Sequence, residues 1–377
     1  MAEPIRINGV CPERFATVRD AFLANVSEDK ELGARFALAI DGEVVIDLMA
    51  GWADRERTRP FGPDTLTPVF STTKAVTALM MARLVSQGRL DYAQPVAEVW
   101  PEFARNGKAA ITVGQCLSHQ DGLAAFIEPM DPQLWFDWDA ITERIAGMAP
   151  LWPPGTASGY HPVTYGYIAG EIFRRVDGRT LGAALRQDLA QPHGLDVWIG
   201  LPDAEHDRVA EMQRPPAPPD LGELTEIRRA AFLRPWSSPL GKDIGAWRRA
   251  EIPSANGHAT AEALARLASV MACDGALDGR PALAPGVAAA MARERIAGPD
   301  LVLPFDLSWG AGVLRNPPNF IYGPEPESFG HSGWGGSCLM ADPRRRLSCA
   351  YVMNRQSIHI IGDPRPKRLI EAAYAAL

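Results

Sequence analysis

The feature that most constrains the fold of this 377-residue chain is where its strand patterns lie. Residues 36–52 form two apolar runs around Asp41-Gly42, a pair typical of a two-residue hairpin turn. Further strand-like runs come near the other end of the chain, at 307–314 and 347–353. The stretch between about 89 and 250 is mostly helical in pattern. This order favours one sheet built from both ends of the chain, with a helical insertion.

Helical periodicity is clearest in four segments, which are 71–88, 165–176, 260–272 and the stretch from about 365 to the end. The first ends at Gly88 and the second at Asp177-Gly178, both typical helix stops. Residues 213–239 contain six prolines and interrupt the helical pattern. They predict a long surface excursion, either a lid or a mobile loop, and not a domain linker.

Composition excludes several classes of function. The chain has 38 basic and 45 acidic residues and a net charge of −7, which offers no basic footprint for nucleic acid or an anionic membrane surface. It lacks the apolar run of about 18 residues that a membrane span needs. Five widely spaced cysteines and a start without signal-peptide character favour a cytosolic protein with reduced thiols. Seven scattered histidines and the absence of nucleotide-binding motifs predict no metal and no cofactor.

Ser71 and Lys74 form an S-x-x-K pair where the first predicted helix begins. Residues three apart share a helix face, so the lysine nitrogen can lie beside the hydroxyl, and a serine nucleophile needs such an activating partner. The N–H groups of a helix start also favour an oxyanion on an acylated serine. The same pattern fits a serine N-cap followed by a solvated lysine. A second copy, Ser27 and Lys30, lies in an acidic polar stretch and predicts a surface position.

Two further segments carry candidate groups. Tyr160 lies in a turn before the second helix, where its phenol either faces a cleft or is half-buried with a solvated hydroxyl. Residues 329–337 are rich in glycine beside the strand-like Cys338-Leu-Met. Such a segment either lets the backbone approach another group closely or makes a plain tight turn.

Taken in order, these segments resemble the serine β-lactamase and penicillin-binding-protein superfamily, in particular its class C β-lactamase-like esterase branch, the family VIII carboxylesterases. Ser71 to Lys74 matches the S-x-x-K motif, and Tyr160 to Pro162 falls at the Y-x-N motif. His331 to Gly333 falls at the K-T-G motif, followed by Trp334 as in the esterase branch. Stretches at 117–123 and 253–261 also resemble the family, and the resemblance covers residues from about 30 to 360.

The resemblance implies an α+β protein with the β-lactamase/transpeptidase-like fold, in which an antiparallel sheet is flanked by helices. It implies an α/β domain of residues 1–88 and 251–377, a mostly helical domain of residues 89–250, and an active-site cleft between them. Ser71 would be the acylated nucleophile, and Tyr160 would take its proton as a phenolate that Lys74 stabilises. Whether Tyr160 or Lys74 is the kinetic base stays open. The backbone N–H groups of Ser71 and Trp334 would form the oxyanion hole.

Two departures from the family motifs bear on the substrate. Pro162 has no side-chain amide for the acylamide of a β-lactam or peptide. His331 replaces a lysine and is largely neutral at pH 7, so a fixed cation for a substrate carboxylate is missing. We therefore expect hydrolysis of uncharged, short-chain acyl esters. The residues predicted to bind the substrate are His331, Gly333, Trp334, Trp135, Phe126 and Asn256, and the predicted aromatic wall of the acyl pocket adds Phe136, Trp138 and Trp152.

Other functions remain open at this point. The first alternative is a β-lactamase or D-amino-acid peptidase, and the second is an acyltransferase in which an alcohol replaces water. A remote alternative is a non-catalytic penicillin-binding module, against which the presence of Ser71, Lys74 and Tyr160 together argues. The expected partner is a small-molecule ester, and the sequence does not indicate an oligomeric state.

Overall fold

The computed structural model describes residues 6–28, 30–239 and 243–377. The first five residues, on which the signal-peptide expectation partly rests, lie outside these ranges. Within them the largest sheet has nine strands, and every neighbouring pair in it is antiparallel. Its strands are β1 Ile7–Val10, β2 Gly33–Ile40, β3 Glu43–Gly51, β4 Ile296–Pro299, β5 Asp306–Trp309, β6 Leu314–Arg315, β7 Phe329–Ser332, β8 Cys338–Asp342 and β9 Leu347–Met353.

The predicted N-terminal hairpin is confirmed as β2 and β3. Asp41 and Gly42 both have positive φ, 53° and 86°, as a two-residue type I′ turn requires. β2 pairs on its other side with β9, in a register that runs from Leu347 opposite Ile40 to Met353 opposite Ala34. The two ends of the chain therefore meet in the middle of one sheet, whose strand order is β1-β3-β2-β9-β8-β7-β6-β5-β4.

Helices cover both faces of this sheet and confirm the α+β class. On one face α9 packs against β9, β2 and β8, and on the other α1 packs against β3 and α11. The four predicted helices are present as α2, α5, α9 and α11, and α9 and α5 are strongly amphipathic. The helices are α1 Ala16–Ser27, α2 Thr73–Ser86, α3 Val113–Leu117, α4 Trp138–Ala146, α5 Thr164–Asp177, α6 Leu181–Leu185, α7 Glu226–Phe232, α8 Ile244–Arg249, α9 Ala261–Ala272, α10 Val287–Ala292 and α11 Pro364–Ala375.

The described residues between 89 and 250 contribute no strand to the main sheet. A small second sheet connects this part of the chain to the segments that lead into α2 and α9. In it, Val197–Trp198 and Thr67–Pro68 both pair with His258–Ala259. Thr67–Pro68 precedes α2, and His258–Ala259 precedes α9. α2 is almost wholly buried and packs against α5, α10 and β7. The start of α2 therefore lies where the sheet and the helical part of the chain meet.

The proline-rich segment 213–239 is a long connection that includes α7 and packs against the remainder of the protein. Its first residue, Gln213, donates a backbone hydrogen bond to Asn354, and Ala230 and Ala231 are buried. Near its end the Trp236 indole donates to the carbonyl of Phe126. In the part of the chain that the structure describes, none of the helices has the length and apolar character to cross a membrane.

Candidate active site

Ser71 lies in a strained turn at the start of α2. The turn is a 3₁₀ helix, Phe70–Thr72, that leads directly into the α-helix. Phe70 has a φ of 46°, a conformation that costs a non-glycine residue free energy and persists only where its surroundings fix it. The Thr73 hydroxyl donates to the Phe70 carbonyl and fixes this turn. The first N–H groups of a helix have no acceptor within it and can stabilise an oxyanion where they are free. Here the Thr72 N–H is already bonded to the Val69 carbonyl.

Lys74, one turn along α2, is fully buried with its nitrogen beside the serine. Its Nζ lies 3.2 Å from Ser71 Oγ and donates to the carbonyls of Pro162 and Ser254, each at 2.9 Å. No carboxylate is hydrogen-bonded to it within the described residues. Burial without a counter-ion lowers the pKa of Lys74 well below its ordinary value, which favours the neutral amine.

Tyr160 completes the cluster from the helical part of the chain. Its hydroxyl donates to Ser71 Oγ at 2.6 Å, and its ring lies 4.6 Å from Lys74 Nζ. Burial raises the pKa of Tyr160 above its ordinary value. A raised pKa favours the neutral phenol, whereas the resemblance led us to expect a phenolate. With a neutral phenol beside a neutral amine, the buried site carries no charge. The structure thus brings together the three groups that the sequence predicted, and burial favours the neutral form of both Lys74 and Tyr160.

A buried polar network fixes the turn that carries Tyr160. The Tyr160 N–H donates to Asp300 Oδ1 at 2.9 Å, and Asp300 also accepts from two backbone N–H groups of its own loop. The His161 Nδ1 lies 3.3 Å from His119 Nδ1, while its Nε2 pairs with Asp121. His119 packs against the Tyr160 ring, with 5.0 Å between ring centroids. Sequence reasoning missed these supporting roles, although His119 and Asp121 fall in the 117–123 stretch that the resemblance singled out.

The glycine-rich loop after β7 packs against the serine turn. Ser337 Oγ donates to the Val69 carbonyl at 2.7 Å and lies 3.1 Å from Thr72 Oγ1. A side chain at Gly333 would meet Ser337 and Val69 within about 2 Å, so only glycine permits this contact. In this loop the N–H groups of the three glycines, at 333, 335 and 336, bond to protein carbonyls. The N–H of Trp334 has no such partner among the described residues and fits the predicted oxyanion role.

A cavity of about 560 Å³ opens in front of Ser71. Its walls come from the serine turn, segment 218–238, β5 to β7 and the loop after β9, and most of them are apolar. No lysine or arginine is among its described lining residues, so a carboxylate there would have no cationic partner. The aromatic side chains that line it are Phe70, Tyr160, Phe232, Trp247, Trp309, His331 and Trp334.

The predicted aromatic wall is largely wrong. Trp334 lines the cavity, but Trp135 and Phe126 line a separate void of only about 10 Å³. Val163 and Ala231 border both this void and the cavity. The Trp135 indole donates to the Trp236 carbonyl, which anchors segment 213–239 and not a ligand. Phe136, Trp138 and Trp152 also lie outside the described lining of the cavity. Phe70, Trp247 and Trp309 take the place of these side chains, and no local pattern in the sequence distinguishes them from core aromatics.

Asn256 and Gly333 do not contact the cavity either, which corrects two more predicted binding residues. Asn256 is fully buried, and its amide nitrogen donates to the carbonyls of Trp247 and Ala250 at 2.6 Å each. Its amide oxygen accepts from the Ile252 N–H. The side chain therefore holds the loop that carries Ser254, one of the carbonyl partners of Lys74, and has no free group for a substrate.

His331 lines the cavity as predicted, and burial favours its neutral form. Its Nδ1 lies 2.8 Å from the Ser332 carbonyl, which fixes the proton on that nitrogen. Burial lowers the pKa of His331 to about 3. The side chain is 3% exposed, and its Nε2 has no hydrogen-bond partner among the described residues. A fixed cation is thus missing at this position.

Two other expectations concern groups away from the cavity. Ser27, of the second S-x-x-K copy, is exposed at the end of α1, and Lys30 pairs with Glu28 at the surface. Within the described ranges no three His, Cys, Asp or Glu side chains are grouped so that they could hold a metal ion.

Comparison with known proteins gives one family and several near relatives. The family model described as beta-lactamase matches residues 18–372. Esterase/beta-lactamase LipL of Mycobacterium tuberculosis (strain ATCC 25618 / H37Rv) is 34% identical over 363 residues, covering 93% of this chain and 83% of that protein. A crystal structure described as a novel penicillin-binding protein homolog from Caulobacter crescentus is 64% identical, with a TM-score of 0.97 over 99% of this chain and 100% of that one. A family VIII carboxylesterase structure is 42% identical, with a TM-score of 0.92 over the same shares.

Proposed function

The chain belongs to the beta-lactamase family and is a serine hydrolase, and from this premise we propose that it is a carboxylesterase that acts through an acyl-enzyme on Ser71. The observation that carries the proposal is the Ser71 hydroxyl between Tyr160 Oη at 2.6 Å and Lys74 Nζ at 3.2 Å, facing a mostly apolar cavity whose described lining contains no lysine or arginine. Relatives whose names include esterase and carboxylesterase support the same reaction.

In the proposed acylation step, Lys74 is the base. Two of its protons are held by the carbonyls of Pro162 and Ser254, so the lone pair of the neutral amine is left for the Ser71 proton. As Ser71 Oγ bonds to the ester carbonyl carbon, that proton moves to Lys74. The negative charge on the carbonyl oxygen is stabilised by the N–H groups of Ser71 and Trp334.

Tyr160 then acts as the proton donor. When the tetrahedral intermediate collapses, the ester C–O bond breaks and the phenol gives its proton to the departing alkoxide. Lys74, protonated in the first step, returns a proton to the phenolate so formed, and the Ser71 oxygen lies within hydrogen-bond distance of both groups. The raised pKa of Tyr160 suits a group that is protonated before the step and regains its proton quickly. Water takes the place of the alcohol in deacylation and reverses the same transfers.

The substrate that we propose is an uncharged acyl ester, with short acyl chains among those accepted. A β-lactam or a D-Ala peptide carries a carboxylate, and the described cavity lining offers it no lysine or arginine. Pro162 contributes its backbone carbonyl to Lys74 and has no amide for an acylamide group. A short acyl chain would fill only part of the 560 Å³, so larger apolar groups also fit.

The test compares wild type, Ser71→Ala and Ser27→Ala on p-nitrophenyl acetate, p-nitrophenyl butyrate and a chromogenic cephalosporin. We expect Ser71→Ala to lower kcat for ester hydrolysis by about 10⁴-fold or more. Ser27→Ala is the matched control, because its serine has the same S-x-x-K spacing but is exposed, and it should equal wild type.

Labelling with a serine-reactive phosphonate gives a second measurement, with the adduct located by peptide mass spectrometry on Ser71. Faster turnover of the cephalosporin than of the esters would contradict the substrate that we propose. A folded wild type that hydrolyses no ester and forms no adduct would contradict the proposed enzyme.

A further inference from the structure

Among the described residues that line the cavity, His331 has a buried acceptor without a donor. His331 Nδ1–H is used by the Ser332 carbonyl, so Nε2 carries a lone pair and no proton. Nε2 has almost no exposed surface and no hydrogen-bond partner among the described residues. A buried polar atom without a partner loses the hydrogen bonds of water, and His331, unlike the equally unpartnered His258, lines the cavity, so a bound group with an N–H or O–H can supply the missing donor.

The position of His331 shows which part of an ester would meet this acceptor. Its ring centroid lies 6.1 Å from that of Tyr160 and 5.9 Å from that of Trp309. The Trp309 ring stacks on Tyr160 at 5.9 Å, so the three rings form one wall of the cavity. In the proposed function Tyr160 protonates the departing alcohol. The alcohol part of the ester therefore lies beside Tyr160 and within reach of His331, not in the apolar part of the cavity.

The rest of the described wall is mostly apolar. It is formed by segment 218–238, Trp247 and Ile360 to Ile361, and its polar side chains are those of Asp220, Ser237 and Ser238. An acyl chain that extends along the apolar side chains of this wall buries apolar surface, whereas a hydroxyl against them would lose its partners. What the Tyr160 side adds is a buried acceptor that has no donor among the described residues, His331 Nε2.

We propose that His331 Nε2 accepts a hydrogen bond from a second hydroxyl in the alcohol part of the substrate, so that the enzyme prefers monoesters of diols and polyols. The proposal rests on the proposed function, because it uses the orientation that proton donation by Tyr160 gives to the ester. A site with a buried acceptor discriminates against an analogue that lacks the donor, since binding the analogue leaves the acceptor unpaired.

The experiment compares three butyrate esters that differ in one group: 2-hydroxyethyl butyrate, 2-methoxyethyl butyrate and propyl butyrate. Release of butyric acid is followed by pH-stat titration. We expect wild type to show a kcat/KM for the hydroxyethyl ester about 10-fold or more above that for the other two. This part of the test needs no variant and does not depend on whether a substituted protein folds.

Variants then assign the preference to His331. We expect His331→Leu to bring the ratio of the hydroxyethyl to the methoxyethyl ester close to 1, and His331→Gln, which keeps an acceptor, to restore part of it. Because the ratio is taken within each variant, a general loss of activity cancels. His258→Leu is the matched control, since His258 is also fully buried, with a pKa lowered by burial to about 3, but does not line the cavity. It should keep the wild-type ratio.

The outcomes separate this inference from the proposed function. If wild type hydrolyses p-nitrophenyl butyrate but does not favour the hydroxyethyl ester, the esterase stands and the role of His331 is wrong. A preference that persists unchanged in His331→Leu also overturns it, because another group must then hold the hydroxyl. If no ester is hydrolysed, the proposed function fails and this inference fails with it.

Discussion

Lys74 and Lys108 are two buried lysines with different surroundings. Both are fully buried, and both donate to backbone carbonyls rather than to a carboxylate. Lys108 has three such acceptors, the carbonyls of Arg105, Ala146 and Met148, which account for all three protons of an ammonium group. Lys74 has two, and its third neighbour is the Ser71 hydroxyl.

This single difference separates a structural lysine from a reactive one. Three carbonyls accept all three protons of an ammonium group, so Lys108 has no proton or lone pair available for a reaction. Its hydrogen bonds join the 105–108 turn to the end of α4. Two carbonyls and a hydroxyl suit a neutral amine, because the hydroxyl can give a proton as well as accept one. Burial lowers the pKa of both lysines, but nearby Asp121 partly opposes this for Lys108, whereas no such opposing charge acts on Lys74. Burial of a lysine alone is therefore a poor indicator of catalysis. The third hydrogen-bond partner of its nitrogen distinguishes a reactive lysine from a structural one.

The largest expected effect comes from removing each amine in turn. Lys74→Met should lower kcat/KM for p-nitrophenyl butyrate by about 10³–10⁴-fold, because Ser71 loses its proton acceptor. Lys108→Met should keep activity per folded molecule within a few-fold and lower the free energy of unfolding by about 2–4 kcal/mol, since three carbonyls lose their donor. Activity is measured per mole of folded protein, with folding checked by circular dichroism, and stability is measured by urea unfolding. Equal losses of activity in the two variants would contradict the distinction.

The next effect concerns two tyrosines near Lys74. Tyr160→Phe should lower kcat by about 10²–10³-fold, because the proton donor to the departing alcohol is lost. Tyr165 lies with its ring 5.7 Å from Lys74 Nζ, and its hydroxyl is buried without a hydrogen-bond partner among the described residues. Tyr165→Phe should therefore leave kcat within a few-fold of wild type. A comparable loss in both variants, measured on p-nitrophenyl butyrate, would show that packing around Lys74 and not the Tyr160 hydroxyl is what matters.

The same contrast marks the limit of sequence reasoning. Ser71, Lys74 and Tyr160 could be predicted together, because short motifs in a fixed order carry the resemblance and the helix spacing brings Lys74 to Ser71. The hairpin around Asp41-Gly42 could be predicted from turn chemistry alone.

The partners of Lys74 could not be predicted in this way. The carbonyls of Pro162 and Ser254 carry no sequence signal, since every residue has a carbonyl and only the tertiary fold brings these two together. The same holds for Asn256, a polar residue near the site whose amide is used by its own loop, and for Trp135, which packs one layer too deep. The division into domains at residues 88 and 250 stays a prediction.

The smallest expected effect is a difference in how stability depends on pH. A lysine whose pKa is lowered in the folded state is neutral there while it is still protonated in the unfolded chain. The unfolded chain then binds more protons, so the free energy of unfolding rises with pH up to the ordinary lysine pKa of about 10.4 and falls as pH drops toward the folded-state value. Lys74 contributes more to this slope than Lys108, because Asp121 partly opposes the shift of Lys108.

Urea unfolding of wild type, Lys74→Met and Lys108→Met at several pH values between about 7 and about 10 measures these slopes. Subtracting each variant from wild type removes the titration of all other groups that the two proteins share. We expect the free energy of unfolding of wild type minus that of Lys74→Met to increase with pH. The corresponding difference for Lys108→Met should depend less on pH. A flat difference for Lys74→Met would mean that Lys74 is an ammonium in the folded protein. Ser71 would then need Tyr160 as its base, and the proton assignments of the two residues would be exchanged.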